Sequence, residues 1–284
     1  MNSMISINQL KRIATQIRRD ILRMVHGAAS GHPGGSLGCA DFLTVLYFSV
    51  MQPNANDFRM DGKDEDMFFL SNGHISPLFY SVLARYGYLP IEELSTFRKI
   101  GSRLQGHPAI TDHLPGIRVA SGSLGQGLSV AIGAALAKKQ NNDNKLIYCL
   151  CGDGELQEGQ IWEAAMFAAH HKVDNLILTV DYNRKQIDGA TDDVISLGNL
   201  EAKWHAFGWE VISCNGNAVD ELLYTLSHAK KLSGNKKPVC LLMKTEMGMG
   251  VDFMTGTHKW HGVAPNDEEL QNALSQLEET MGDY

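Results

Sequence analysis

Asp153, inside Gly152-Asp153-Gly154, and Asn183 lie 30 residues apart, and each closes an apolar run of strand character, residues 145–151 and 175–181. A carboxylate and a side-chain amide are both oxygen donors. Mg²⁺ and Ca²⁺ favour such ligands, above all when the same cation also holds phosphate oxygens. The glycines flanking Asp153 let a diphosphate approach the backbone. The pair therefore reads as a metal–diphosphate anchor, provided the chain brings its members together. Residues 158–171, between them, are good helix formers with no glycine after Gly159. Strand, helix and strand over this length form a right-handed βαβ unit with parallel, adjacent strands. Such strands run about 4.8 Å apart and open their carboxyl ends on one edge, so both oxygens are expected in one crevice.

Five of the 11 histidines sit in glycine-rich loops. His32 is in Ser-Gly-His-Pro-Gly-Gly, His74 in Ser-Asn-Gly-His-Ile-Ser-Pro and His107 in Gln-Gly-His-Pro, while His258 and His261 share Gly-Thr-His-Lys-Trp-His-Gly. Flanking Gly and Pro fix the backbone around each ring. Neutral imidazoles can hydrogen-bond sugar hydroxyls and phosphate oxygens and can move protons near neutral pH. A histidine-lined zinc site competes with this reading, but the carboxylate–amide pair favours a hard cation. His26, His170, His171, His205 and His228 fall in helical patterns and read as structural or surface residues.

The elements that must position these loops follow from periodicity. Helical patterns recur at 8–26, 40–50, 77–87, 91–100, 126–140, 158–171, 199–207, 219–232 and 267–281, and strand-like runs at 66–70, 117–121, 145–151, 175–181, 209–213 and 239–244. The alternation predicts a three-layer α/β fold, a mostly parallel sheet flanked by helices, as one domain over residues 1–284. Gly/Pro-rich segments at 30–38, 71–77, 101–116, 121–127 and 248–265 punctuate it, and in such a sheet they gather at the carboxyl edge. The segment Ser121-Gly-Ser-Leu-Gly-Gln-Gly127 lacks the spacing of the dinucleotide fingerprint, and alone reads as a tight turn before a closely packed helix.

Composition narrows the classes. A 44% hydrophobic, 20% charged chain of 284 residues is ordinary for a soluble globular enzyme. The net charge of −7, without a basic run longer than two residues, speaks against a nucleic-acid partner. The longest apolar run, 128–137, is too short for a membrane span, and residues 5–21 are amphipathic rather than signal-like. Five cysteines, four of them in strand-like runs, predict no disulfide framework and a reducing, cytoplasmic setting. Cys149 and Cys151 lack other soft ligands nearby for zinc.

Together the loops resemble those of transketolase, specifically its amino-terminal, pyrophosphate-binding domain. The matching segments run nearly end to end: Ser30-Gly-His-Pro-Gly-Gly-Ser-Leu-Gly38, Ser71-Asn-Gly-His74, Gly106-His-Pro108, Gly122-Ser-Leu-Gly-Gln-Gly127, Gly152-Asp-Gly-Glu-Leu-Gln-Glu-Gly159, Asn183-Arg-Lys-Gln-Ile-Asp-Gly189 and Gly256-Thr-His-Lys-Trp-His-Gly262. The Gly-Asp-Gly to Asn spacing alone marks thiamine-diphosphate enzymes broadly; the histidine loops in this order are more specific. The related deoxyxylulose-phosphate synthases share the cofactor logic but match these motifs less well.

The resemblance implies thiamine diphosphate and Mg²⁺ (or Ca²⁺) as cofactors, and transfer of a two-carbon ketol unit from a ketose phosphate to an aldose phosphate, a reaction of pentose phosphate metabolism. It implies Asp153, Asn183 and the Lys185 carbonyl as cation ligands. His74, Gly154 and His261 contact the diphosphate, with Gly152, Glu155 and Asn183 in the same cofactor-binding set. Gly122, Ser123 and Leu124 meet the thiamine rings, and Ile187 packs from the other side. Family members often carry Pro at position 123 and an apolar residue at 185. His32, His107 and His261 face the sugar as catalytic residues. Glu158 corresponds to carboxylates near the family's subunit interface, or is simply a solvated helix-start residue.

The glutamate that activates the thiamine and the arginines that grip sugar phosphate belong, in the family, to a following pyrimidine-binding domain. The chain stops at Tyr284 after an acidic helix capped near Asn266 or Asp267. It is therefore expected to be the amino-terminal subunit of a split transketolase, working with a carboxy-terminal subunit in an α2β2 assembly. A split enzyme for a modified sugar, a non-catalytic thiamine-diphosphate-binding paralogue and a truncated longer enzyme are the alternatives.

Overall fold

A computed structural model describes residues 5–284. The chain opens with α1 (Ile7–Gly27), whose first turn is closed by a capping box: Ser6 Oγ accepts from the Gln9 amide, and the Gln9 side chain accepts from the Ser6 amide. Leu10, Ile13, Ala14, Ile17, Ile21, Met24 and Val25 recur at helical spacing and are all buried. Then come α2 (Pro33–Gly38), α3 (Ala40–Val45), β1 (Met67–Leu70), α4 (Ser76–Tyr86), α5 (Gln126–Gln140), β2 (Ile147–Gly152), α6 (Gly159–His170) and β3 (Leu176–Tyr182). A two-stranded hairpin, β4 (Lys185–Gln186) and β5 (Gly189–Ala190), leads to α7 (Thr191–Ile195), α8 (Leu200–Ala206), β6 (Glu210–Asn215), α9 (Val219–Leu232), β7 (Val239–Lys244) and α10 (Asp267–Ser275).

The five long strands form one all-parallel sheet in the order β1-β2-β3-β7-β6. Alternate residues of each strand feed opposite cores, as the pleat requires. Phe68, Leu70, Tyr148, Leu150 and Leu241 pack on the face carrying α1, α3, α4 and α9. Met67, Phe69, Ile147, Cys149, Cys151, Leu178 and Leu242 pack against α5, α6 and α8 on the other. The three-layer expectation is met.

Several boundaries differ from those the periodicity predicts. Residues 117–121 form no strand; Ile117 is buried, but the segment is turn and loop. The 91–100 pattern is only a 3₁₀ turn, Ile91–Thr96, because Arg98 and Gly101 take positive φ and break the helix. The glycine-rich stretch at 30–38 contains α2 rather than loop throughout. Proline at its first position starts it, and burial allows the glycines to stay helical. The 40–50 helix ends as a π turn at Leu46–Val50, and α10 stops at Ser275, short of 281. All five cysteines are buried and free. Among the described residues, no helix is long and apolar enough to cross a membrane.

Candidate functional site

The crevice lies at the carboxyl edge of the sheet. The chain leaves β3 for the edge strand β6 and returns through β7 to pair with β3, so the strand order reverses there, and ligand crevices of open α/β sheets form outside the carboxyl ends at such a switch point. Gly152 pairs with Asp181 in parallel register, which sets Asp153 and Asn183 just past neighbouring strand ends. The Asp153 amide donates to the Asp181 carbonyl at 3.1 Å. Asp153 Oδ2 accepts from the Arg184 amide at 2.5 Å and Oδ1 from the Gly154 amide at 2.7 Å. Asn183 Nδ2 donates to Asp181 Oδ2 at 2.9 Å, and its Oδ1 accepts from the Lys185 amide at 2.8 Å. Asp181, itself held by Thr245 Oγ1, thereby decides which end of the Asn183 amide faces outward.

This carboxylate pair is short of positive charge. Burial first, and the Asp181 carboxylate second, push Asp153 up to about 8. Burial raises Asp181 as well. A cation beside them would restore the charged form. Asp153 offers a carboxylate and Asn183 an amide oxygen; among the described residues no group of three or more His, Cys, Asp or Glu is arranged to hold a metal. That donor chemistry fits a hard cation rather than zinc.

A cleft of about 480 Å³ extends from this point, within the size range of small-molecule sites. Its lining includes Asp153, Gly152, Gly154, Asn183, Lys185 and Ile187. It also includes His32, His74, His107, His261, Gly122, Leu124 and Glu155. The expected residues thus converge from loops far apart in sequence. Ser123 is exposed and not among the lining residues. His258, on the same loop as His261, is likewise exposed and outside the cleft. Glu155 lines the cleft, but both its oxygens are occupied by the protein's own donors: Oε1 by Ser71 Oγ and the Gly125 amide, Oε2 by the Gly152 amide. Glu158 is exposed at the N-cap of α6 and makes no capping hydrogen bond.

Four histidines form a cluster over the other wall. The His32 ring centroid is 5.2 Å from His74, 5.7 Å from His261 and 6.4 Å from His107, and His74 lies 5.1 Å from His261. Close packing holds the elements that carry them. A Cβ on Gly34 would stand 2.6 Å from Met247 Cγ and 2.8 Å from the Trp260 carbonyl, so α2 presses on the turn bearing His261. Gly122 has φ +142°, and a Cβ there would meet the His107 ring at 3.1 Å. Burial, then the neighbouring His261, Arg98 and His107, lower His32 to about 4. Burial also pulls His74, His107 and His261 down. At neutral pH the cluster is uncharged, each ring keeping one donor and one acceptor nitrogen.

Three buried polar atoms in the cleft have no protein partner: His32 Nδ1, His261 Nδ1 and Asn72 Oδ1. Buried polar groups are normally satisfied, so these atoms fit a polar ligand between the histidines and the cation end. Motif reasoning missed Asn72 and Asp181. Asn72 lies inside the Ser71–His74 motif just past a strand run, and Asp181 closes the run before Asn183; those positions were the available signal.

An open parallel α/β sheet whose carboxyl-edge cleft is lined by a carboxylate–amide pair and a wall of histidines is the class of structure that fold and site define. Residues 9–280 match the family described as transketolase, thiamine diphosphate binding domain. The chain is 38% identical over 276 residues to one of the named subunits of the apulose-4-phosphate transketolase of Actinobacillus succinogenes, covering 97% of this chain and 98% of that one. It is 40% identical over 269 residues to the 6-deoxy-6-sulfo-D-fructose transketolase subunit SqwG of a Clostridium species, covering 95% and 96%. The solved transketolase from Leishmania mexicana superposes with a TM-score of 0.89 at 33% identity, covering 99% of this chain and 43% of its own. The chain belongs to the transketolase family. It spans nearly the full length of the relatives named as subunits, and less than half of those named simply transketolase.

Proposed function

We propose that the chain is the cofactor-anchoring subunit of a two-chain transketolase, folded as one domain. Its reaction moves a two-carbon ketol unit from a ketose phosphate to an aldose phosphate. The carrying observation is the convergence of Asp153, Asn183 and four neutral histidines on one cleft that leaves three buried polar atoms unpartnered. Asp153, Asn183 and the Lys185 carbonyl would hold Mg²⁺ or Ca²⁺. His74, Gly154 and His261 would hold the diphosphate, and Gly122, Leu124 and Ile187 the thiamine rings. When bound, thiamine diphosphate supplies the carbanion-stabilising chemistry. His32, His107 and His261 orient the sugar oxygens, and as neutral rings they both donate and accept at those oxygens, so protons can move without a change in the site's net charge.

The second half is assigned to a separate subunit carrying the pyrimidine-binding domain, in an α2β2 assembly. Support comes from relatives of matching length that are named as transketolase subunits. The same names favour a modified sugar as substrate, since two of these relatives are named for apulose-4-phosphate and one for 6-deoxy-6-sulfo-D-fructose. A cytoplasmic location accords with five free thiols. The test is reconstitution: turnover of ketose and aldose phosphates should require both subunits. Ordinary turnover by the purified chain alone would overturn the split assignment.

A further inference from the structure

Glu155 is a buried carboxylate, 2% exposed, that reaches no charged partner and instead accepts three donors from three separate segments. Ser71 follows β1, Gly152 ends β2, and Gly125 stands at the N-cap of α5. Ser71 Oγ passes the link on, accepting from the Gly127 amide at 3.0 Å. The carboxylate and the hydroxyl together therefore satisfy two backbone amides at the start of α5, where intrahelical partners are lacking. The packing leaves little slack. A Cβ on Gly127 would stand 2.4 Å from Ser71 Cβ, and one on Gly73 would meet Ser121 Oγ at 2.6 Å.

Between these fixed points run Gly122 and Leu124, which line the cleft. The Gly125 hydrogen bond is 2.7 Å, and Gly125 itself needs φ +85°. The loop's course is thus set by a side chain located two residues after Asp153. We propose that Glu155 is a positioning residue: it clamps the 121–127 loop against the ends of β1 and β2, and so fixes the wall that meets the thiamine rings relative to the cation that meets the diphosphate. The proposal rests on the thiamine-diphosphate reading for the identity of the ligand, but the clamp is a property of the cofactor-free chain.

Two measurements on the full chain test it. Hydrogen exchange at the Gly125, Gly127 and Gly152 amides should rise at least tenfold in Glu155→Ala, and only at Gly127 in Ser71→Ala, a milder variant in case the first folds poorly. Calorimetry with Mg²⁺ then compares thiamine diphosphate with inorganic pyrophosphate. Glu155→Ala should weaken the thiamine compound at least tenfold and leave pyrophosphate within about threefold. Glu155→Gln, which keeps one acceptor oxygen but sets an NH₂ group against a backbone amide, should fall between. Unchanged exchange, or equal loss of both ligands, overturns the clamp. If the wild-type chain binds pyrophosphate and not thiamine diphosphate, the cofactor reading fails instead, while the exchange result still decides the clamp.

Discussion

Asp153, just past the end of β2, reaches to the neighbouring parallel strand's exit and accepts a hydrogen bond from the backbone amide of Arg184 at 2.5 Å. The carboxylate that follows β2 thus pins the turn that carries Asn183 out of β3. One side chain both supplies an oxygen to the crevice and orders the segment that supplies the second. The Asp181 carboxylate completes the arrangement by taking the Asn183 NH₂ group. The protein's own hydrogen bonds thus fix both side chains beside the cleft that they line.

Asp181→Ala should remove the acceptor that orients Asn183 and free its amide to rotate. Outer-shell partners of metal ligands are typically worth about 10–100-fold in affinity, and a loss in that range is expected for Mg²⁺-dependent cofactor binding. Calorimetry at a fixed cofactor concentration reads it. An unchanged midpoint would show that Asn183 needs no such support.

The histidine cluster predicts a pH dependence in the cofactor-free chain. His32 is held down to about 4 in the folded state, against about 6.5 when unfolded. Between these values the unfolded chain binds a proton that the folded chain refuses, so stability rises with pH across this window and falls as pH drops through it. Above about 6.5 both states are neutral and the contribution is flat. Urea unfolding of wild type and His32→Asn across this window should show a shallower slope in the variant. Parallel curves would contradict the neutral-ring assignment.

Gly122→Ala places a Cβ where φ is +142° and the His107 ring is 3.1 Å away. The loop or the ring must shift. In the reconstituted enzyme, turnover should fall at least tenfold while the cofactor-free chain keeps its circular dichroism spectrum. Full activity would place His107 and this loop outside the chemistry.

Away from the site, Asp20 is fully buried and accepts two hydrogen bonds from Arg85 and one from Ser81. Asp20→Ala leaves a guanidinium with 2% exposure unpaired. Breaking such a pair typically costs about 3–5 kcal/mol. Thermal and urea unfolding should report a loss of that order, with cofactor binding retained below the new midpoint.

The sheet and its anchor pair were legible because local signals were strong: apolar runs at 145–151 and 175–181, a helix between them, and a carboxylate and an amide at their ends. The histidine loops were readable as motifs, but their convergence, with ring centroids 5.2 to 6.4 Å from His32, depends on α2 pressing on the turn at Trp260. That contact joins segments at opposite ends of the chain and leaves no trace in local periodicity. Asn72 and Glu155 illustrate the remaining gap. Asn72 lies inside a motif without a role of its own and Glu155 is expected to bind the cofactor; only tertiary structure shows that the first has an unpartnered buried oxygen and the second is filled by three internal donors. The strand expected at 117–121 failed because Ile117 is buried by a loop packing on α4, where a Cβ on Gly116 would meet Leu83 at 2.5 Å, rather than by sheet pairing.

The central claim is that Asp153 and Asn183 anchor a cation and, through it, the diphosphate of thiamine diphosphate. Titrating the full chain with thiamine diphosphate in Mg²⁺, in EDTA and in Mg²⁺ with Asp153→Ala tests this most directly. Saturable binding near one ligand per chain in Mg²⁺, weakened about 100-fold or more by either EDTA or the substitution, is the predicted result. Binding of equal strength in all three titrations would contradict it.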